Sequence, residues 1–184
     1  MQFDRQAIPD VILVTPDRHG DARGFFSETF RANVYEAAGI AGPFVQDNHA
    51  WSAEAGVLRG LHFQAPPRAQ AKLVRCTRGA VLDVAVDIRA SSPTYGQHVS
   101  AELSADNGAQ LYVPEGFAHG YLTLTPDCVV VYKMTDYYAP ETEGGLAWDD
   151  PALGIDWPLP SGAPSLSPKD GKLPGLANFS SPFK

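Results

Sequence analysis

Cysteine is nearly absent. The 184-residue chain holds two, Cys76 and Cys128, and they make neither a disulfide framework nor a CxxC metal or redox motif. Both are expected as buried strand residues, because a free thiol behaves as a small hydrophobe. No apolar run approaches the roughly 18 residues that a membrane span requires. Residues 1–9 contain no apolar stretch of signal-peptide length, so a soluble cytoplasmic protein is expected. Excess positive charge is missing too: a formal net charge of −7 argues against a nucleic-acid or anionic-membrane surface. No GxGxxG fingerprint follows a strand, which removes the usual signature of a nicotinamide-dependent enzyme. There is no internal repeat and no low-complexity tract. With 44% hydrophobic and 19% charged residues the chain is neither disordered nor a coiled coil. Its length suits one domain, residues 1–184, with a self-sufficient core.

What the chain does contain is a series of short apolar runs separated by Gly, Pro, Asn and Asp. Residues 11–15, 24–30, 57–63, 72–78, 81–88, 98–103, 110–113, 120–125 and 128–137 read as strands. In one of them Val81, Asp83, Ala85 and Asp87 alternate with Leu82, Val84, Val86 and Ile88. One helical stretch, residues 31–38, is ended by Gly39. Many short strands with a single helix imply an all-β antiparallel sandwich or barrel. Seven of the 16 prolines fall in the last 34 residues, so 151–184 is expected as an irregular tail packed on the barrel, without a core of its own.

Five of the 14 basic residues lie between positions 59 and 78: Arg59, Arg68, Lys72, Arg75 and Arg78. A local basic patch on an acidic protein suits a small anionic ligand; otherwise it is a solvated strand face. His62, in Arg59-Gly60-Leu61-His62-Phe63-Gln64, could accept a proton with the Lys72 cation stabilising the charge left behind. A lone strand histidine is more often structural. Gly60 would allow close approach of a ligand or of backbone. Arg59 and His62 have opposite parity on a regular strand, so both can line one pocket only if the strand bends or ends near Gly60. Tyr132 and Tyr138 share parity with Met134 and Asp136, and a pocket tyrosine could donate a proton or offer a ring for a base to stack on. Asp170, in the tail, could hold the imidazole tautomer if the tail folds back to His62.

Residues 113–120, Val-Pro-Glu-Gly-Phe-Ala-His-Gly, read as a turn that places His119 at a strand start. With the His62 segment they resemble the paired motifs of the cupins. The second motif matches at Pro114, Gly116 and His119. The first departs: His62-Phe63-Gln64 stands where metal cupins carry H-x-H, and no acidic ligand follows. A first-row metal typically needs three or four protein ligands, so no metal is expected.

The chain closely resembles the dTDP-4-dehydrorhamnose 3,5-epimerases. The matching segments are residues 21–28 (Asp-Ala-Arg-Gly-Phe-Phe-Ser-Glu), 45–49, 56–62, 71–75, 113–120, 132–143, 148–151 and 156–158, in the expected order over nearly the whole chain. The resemblance implies a cupin-like antiparallel jelly-roll β-barrel, a homodimer, and neither metal nor cofactor. It implies His62 as general base with Asp170 as its partner, Lys72 steadying the enolate oxygen, and Tyr132 as general acid. Tyr138 would stack on thymine. Arg23, Phe25, Glu28, Gln46, Asn48, Arg59, His119, Glu143 and Lys169 would contact the substrate, with Arg23 and Glu28 arriving from the partner subunit. Within the resemblance the stretch from Asn48 to Gly56 is one residue longer than usual and holds Trp51, which implies a loop adjustment near the mouth. Phe63 and Met134 stand where Tyr and Cys are common. The implied reaction is epimerisation of carbons 3 and 5 of dTDP-4-dehydro-6-deoxy-D-glucose to dTDP-4-dehydro-L-rhamnose, for surface-polysaccharide or antibiotic sugars. Two alternatives are a 3-only or 5-only epimerase and a non-catalytic nucleotide-sugar-binding barrel; a metal cupin oxygenase is a third.

Overall fold

The strand Ala80–Asp87 shows why two layers form. Its Val81 and Ala85 join one apolar cluster, its Val84 and Val86 another, and all four are fully buried. A strand buried on both faces needs cover on both sides. The computed structural model describes residues 1–184 except Ala41 and Ser161. Among these, the strands are β1 (Gln2–Arg5), β2 (Ile12–Thr15), β3 (His19–Asp21), β4 (Gly24–Phe26), β5 (Gln46–Ser52), β6 (Leu58–Gln64), β7 (Lys72–Arg78), β8 (Ala80–Asp87), β9 (His98–Ser104), β10 (Gln110–Val113), β11 (Phe117–Thr123), β12 (Cys128–Met134) and β13 (Glu143–Gly145). One helix, α1 (Ala32–Ala37), is followed by Gly39 at φ +90°. No helix among the described residues is long and apolar enough to cross a membrane.

A six-stranded sheet runs β1-β2-β10-β7-β12-β5 and a five-stranded sheet runs β13-β6-β11-β8-β9, with β3-β4 as a separate hairpin. Every named strand pair is antiparallel. The two sheets face each other as a cupin-like jelly roll. They meet across a core of Val74, Cys76, Val81, Ala85, Leu103, Leu111 and Val130, to which each fully buried Val or Leu contributes about 1.5–3 kcal/mol. The outer face of the five-stranded sheet is covered by the C-terminal segment: Leu153 and Trp157 are buried there, and Phe179 and Phe183 pack edge-on against Phe63. On the outer face of the other sheet, Tyr35 of α1 packs with Ile12, Val14 and Leu73. Cys76 and Cys128 are free and buried.

The differences from the sequence reading have physical causes. β5 and β1 escape a hydrophobic pattern search because both are edge strands, and β5 carries Asp47, His49 and Trp51 on an exposed face. The strand expected over 24–30 ends at Phe26. The turn before β11 ends earlier than expected, so His119 lies inside the strand and not at its start. β12 stops at Met134, where Thr135 and Ala71 close the ladder. Tyr138 is therefore beyond the strand, and the parity linking it to Tyr132 does not apply. β5 keeps unbroken register with β12 from Gln46 to Ser52.

Candidate active site

Gly60 resolves the parity conflict on β6. It sits at φ +140°, and a Cβ there would stand 2.5 Å from the Gly120 Cα of β11. The two backbones approach this closely only without a side chain. The ladder shifts here: His119 pairs with His62 and Tyr121 with Arg59, so two steps on β11 span three on β6. That extra residue turns Arg59 and His62 to the same side. Both line one cavity of about 280 Å³, together with Lys72, His119, Tyr121, Tyr132, Glu143, Ser167, Lys169 and Asp170.

The cavity lies between the sheets, and its walls differ in chemistry. From the five-stranded sheet come Arg59, His62, His119, Tyr121 and Glu143; from the six-stranded sheet come Lys72 and Tyr132. His62 Nε2 is 2.6 Å from Asp170 Oδ1. Asp170 is 4% exposed and opens a 3₁₀ turn, Asp170–Lys172, with its backbone N–H donating to Ser167 Oγ at 3.1 Å. A carboxylate can only accept, so Nε2–H donates to it and Nδ1 keeps the lone pair that takes a proton. Burial lowers the His62 pKa, Asp170 opposes that, and the Lys72 and Lys169 charges add to it; the net shift is downward, leaving the ring neutral and basic near pH 7.

Lys72 is buried, with Nζ donating to the His62 carbonyl at 3.2 Å. Burial pulls its pKa down to about 8 despite the nearby Asp83 and Glu143 carboxylates. A cation with this pKa is still protonated at pH 7 and answers strongly to negative charge developing beside it, since little water screens it. His119 is held by fully buried Asp83, whose two oxygens each lie 3.0 Å from Nε2. Lys169 Nζ is 2.6 Å from Glu143 Oε2, which also accepts from Tyr138 at 3.0 Å. Burial raises the Glu143 pKa, but the Lys169 and Tyr138 bonds outweigh it and the net shift is downward.

Of the residues singled out in the sequence, Arg59, His62, Lys72, His119, Tyr132, Glu143, Lys169 and Asp170 meet in this cavity. Gln46 and Asn48 are on β5, bonded to each other at 3.0 Å, and Gln46 Oε1 accepts from the Tyr138 N–H at 2.9 Å. Tyr138 is 57% exposed and reaches the site only through Glu143. Arg23, Phe25 and Glu28 do not line the cavity: Arg23 pairs with Asp21, Phe25 is 60% exposed, and Glu28 pairs with Arg31. The basic cluster of the sequence is dispersed. Arg68 pairs with Asp136 and Arg78 with Asp127, while Arg75, of opposite parity to Lys72, lies on the outer face of the sheet. The reading missed Asp83 and Tyr121. The period-two pattern of β8 put an acid among apolar residues on one face, which was the available signal for Asp83; Tyr121 carries none. No group of three or more His, Cys, Asp or Glu among the described residues is placed to hold a metal ion.

A neutral imidazole on one wall, with a phenol and a buried ammonium on the other, suits removal of a proton alpha to a carbonyl and its return from the opposite face. Comparisons with known proteins agree. A family model described as dTDP-4-dehydrorhamnose 3,5-epimerase matches residues 5–178. The chain is 52% identical to the dTDP-4-dehydrorhamnose 3,5-epimerase of Sinorhizobium fredii over 184 residues, covering 100% of this chain and 94% of that one. It is 54% identical to the Pseudomonas aeruginosa enzyme of the same name over 171 residues, 92% of this chain and 93% of that one. The crystal structure of a Legionella pneumophila dTDP-6-deoxy-D-glucose-3,5-epimerase, in complex with dTDP-4-keto-L-rhamnose, superposes with a TM-score of 0.93 at 46% identity, covering 97% of this chain and 94% of that one. The chain belongs to the dTDP-4-dehydrorhamnose 3,5-epimerase family.

Proposed function

We propose that this protein epimerises carbons 3 and 5 of dTDP-4-dehydro-6-deoxy-D-glucose, giving dTDP-4-dehydro-L-rhamnose, and that it does so in the cytoplasm as a homodimer. The observation that carries the reading is the placement of His62 and Tyr132 on opposing sheets of one cavity, with Lys72 buried on the Tyr132 side. His62 Nδ1 takes the proton from the carbon next to the C4 ketone, and the Asp170 carboxylate stabilises the imidazolium that forms. The electron pair moves onto the ketone oxygen, where the Lys72 ammonium meets the enolate charge. Tyr132 then gives a proton to the same carbon from the other side, which inverts it; the tyrosinate regains a proton from solvent and the imidazolium releases its own, which resets both groups. The sequence repeats at the second carbon.

Arg59 near the mouth binds the diphosphate, the exposed Tyr138 ring stacks on thymine, and Gln46, Asn48, His119, Glu143 and Lys169 hold the rest of the substrate. The hairpin β3-β4 supports the dimer: Phe25 and Phe26 are 60% and 70% exposed and the Arg23 side chain 90%, an unusual display for a monomer surface. In the dimer, Arg23, Phe25 and Glu28 complete the partner's cavity. Mixing Arg23→Ala with His62→Ala tests this. Exchanged subunits would hold one intact composite site and regain part of the activity; no recovery despite proven exchange counts against a shared site.

The central test is incubation of dTDP-4-keto-6-deoxyglucose with the protein in heavy water, with NMR location of deuterium. Label and inverted configuration at both carbons are expected. Label at one carbon only would make it a single-site epimerase, and binding without exchange a non-catalytic barrel.

A further inference from the structure

Tyr121 stands in the middle of β11, two residues beyond His119 and paired with Arg59. Its side chain lines the cavity, is 4% exposed, and packs into the apolar core between the sheets. Only two buried side-chain polar atoms among the described residues lack a hydrogen bond, and they differ in kind. Arg68 Nε still lies 2.7 Å from Asp136 Oδ2, whereas Tyr121 Oη has no partner in the protein. Leaving a buried hydroxyl unpaired is unfavourable by about 1–3 kcal/mol. A phenylalanine would fill the same space without that penalty. The oxygen therefore needs a reason to be there, and the cavity it borders supplies one.

We infer that Tyr121 is a further substrate-binding residue, whose hydroxyl donates a hydrogen bond to an oxygen of the sugar ring bound among His62, Lys72 and Tyr132. The inference rests on the epimerase reading for the identity of the ligand. The sugar is favoured over the diphosphate by depth: Arg59, its ladder partner, is exposed, while Tyr121 is buried on the wall that also carries His62 and His119. Burial pushes the Tyr121 phenol far above the ordinary tyrosine range, with Arg59 only partly opposing this, so the group stays protonated and acts as a donor. Its partner must be an acceptor, and a keto sugar presents several: the C4 carbonyl, the ring oxygen and its hydroxyls.

Tyr121→Phe removes the oxygen alone. Calorimetric binding of dTDP-4-keto-6-deoxyglucose should weaken about 3- to 15-fold, the worth of one neutral hydrogen bond. Binding of dTDP, which lacks the sugar, should change less than about 2-fold, and the thermal midpoint of the ligand-free variant should equal or exceed that of the wild type. That last readout separates binding from structure, because a hydroxyl bonded within the fold would lower the midpoint when deleted. Unchanged binding of the sugar nucleotide overturns the inference. So does a lowered midpoint with intact affinity, or equal weakening for dTDP, which would put the contact on the nucleotide diphosphate. Wild-type protein that binds the sugar nucleotide without exchanging deuterium would sink the epimerase reading and leave the Tyr121 result to be judged on affinity alone.

Discussion

Asp83 and Asp87 lie on one strand, on one face, and both are fully buried, yet the middle of β8 and its C-terminal end have opposite surroundings. Around Asp87 every bond is closed. Its carboxylate accepts from Arg89 Nε at 3.0 Å, Arg89 Nη2 at 2.7 Å, and the Ser92 and Thr94 hydroxyls at 2.6 Å each, and Arg89 reaches on to Asp10 at 2.9 Å. Burial raises the Asp87 pKa, but these donors outweigh it and hold it at about 2. Four residues away, Asp83 bonds His119 beside the buried Lys72 and the unpaired Tyr121 hydroxyl. The C-terminal end of the strand has its charge fully paired; the middle stands beside a desolvated ammonium and a hydroxyl with no partner in the protein. A site that must meet a developing enolate cannot be satisfied in advance, so its stability is drawn from the braced end.

The sharpest break in that symmetry is in turnover. His62→Ala should abolish both epimerisation and deuterium uptake, and Tyr132→Phe should lose product by about 100- to 10,000-fold while still washing deuterium into the sugar, because His62 can return a solvent-derived proton to the face it came from. Inversion of both carbons at near the normal rate by Tyr132→Phe would assign the acid elsewhere; persistent exchange by His62→Ala would unseat the base. Lys72→Met should separate function from stability. Activity should fall, while the protein gains up to about 3 kcal/mol at pH 7, the desolvation recorded by a pKa drawn down from 10.5 to about 8. The unfolded chain holds this proton more tightly, so the wild type gains stability as pH rises from about 8 to 10.5, and the gap to Lys72→Met should close over that window. A destabilised Lys72→Met contradicts the assignment of Lys72 as a strained group.

At the braced end, Asp87→Asn should lose about 2 kcal/mol with catalysis little altered. The sign is opposite in pH: this stability is present above the unfolded value of 3.8 and is lost as pH falls toward about 2, so urea midpoints of variant and wild type should converge there. A constant gap across that range would mean that charge is not what the donors hold. The smallest expected effect is the shape of the rate profile. kcat/KM should be roughly halved near pH 8, as Lys72 deprotonates, and should fall on the acid side only below 6.5, because the His62 pKa is lowered. An alkaline limb that survives unchanged in Lys72→Arg would exclude Lys72 as its source.

The amino-acid sequence by itself determined the layered β architecture. Short apolar runs bounded by turn residues marked β7, β8 and β10, which are buried along most of their length, and Gly39 ended the single helix where a left-handed residue was required. It also singled out His62, Lys72, Tyr132 and Asp170, which line one cavity, the first by its setting beside Gly60 and the last, isolated in a proline-rich tail, chiefly by family resemblance. The tertiary structure alone decided which of these residues meet. Asp170 reaches His62 across 108 positions, and Lys72 stands in the opposite sheet from His62 although only ten residues separate them. The Gly60–Gly120 approach turned two residues of opposite parity into one wall, and ladder closure at Met134 released Tyr138 from the strand of Tyr132. The reason is general. Alternation along a strand is a local consequence of backbone geometry, whereas pairing between distant strands, bulges and the docking of a tail are fixed by contacts that no window of sequence contains.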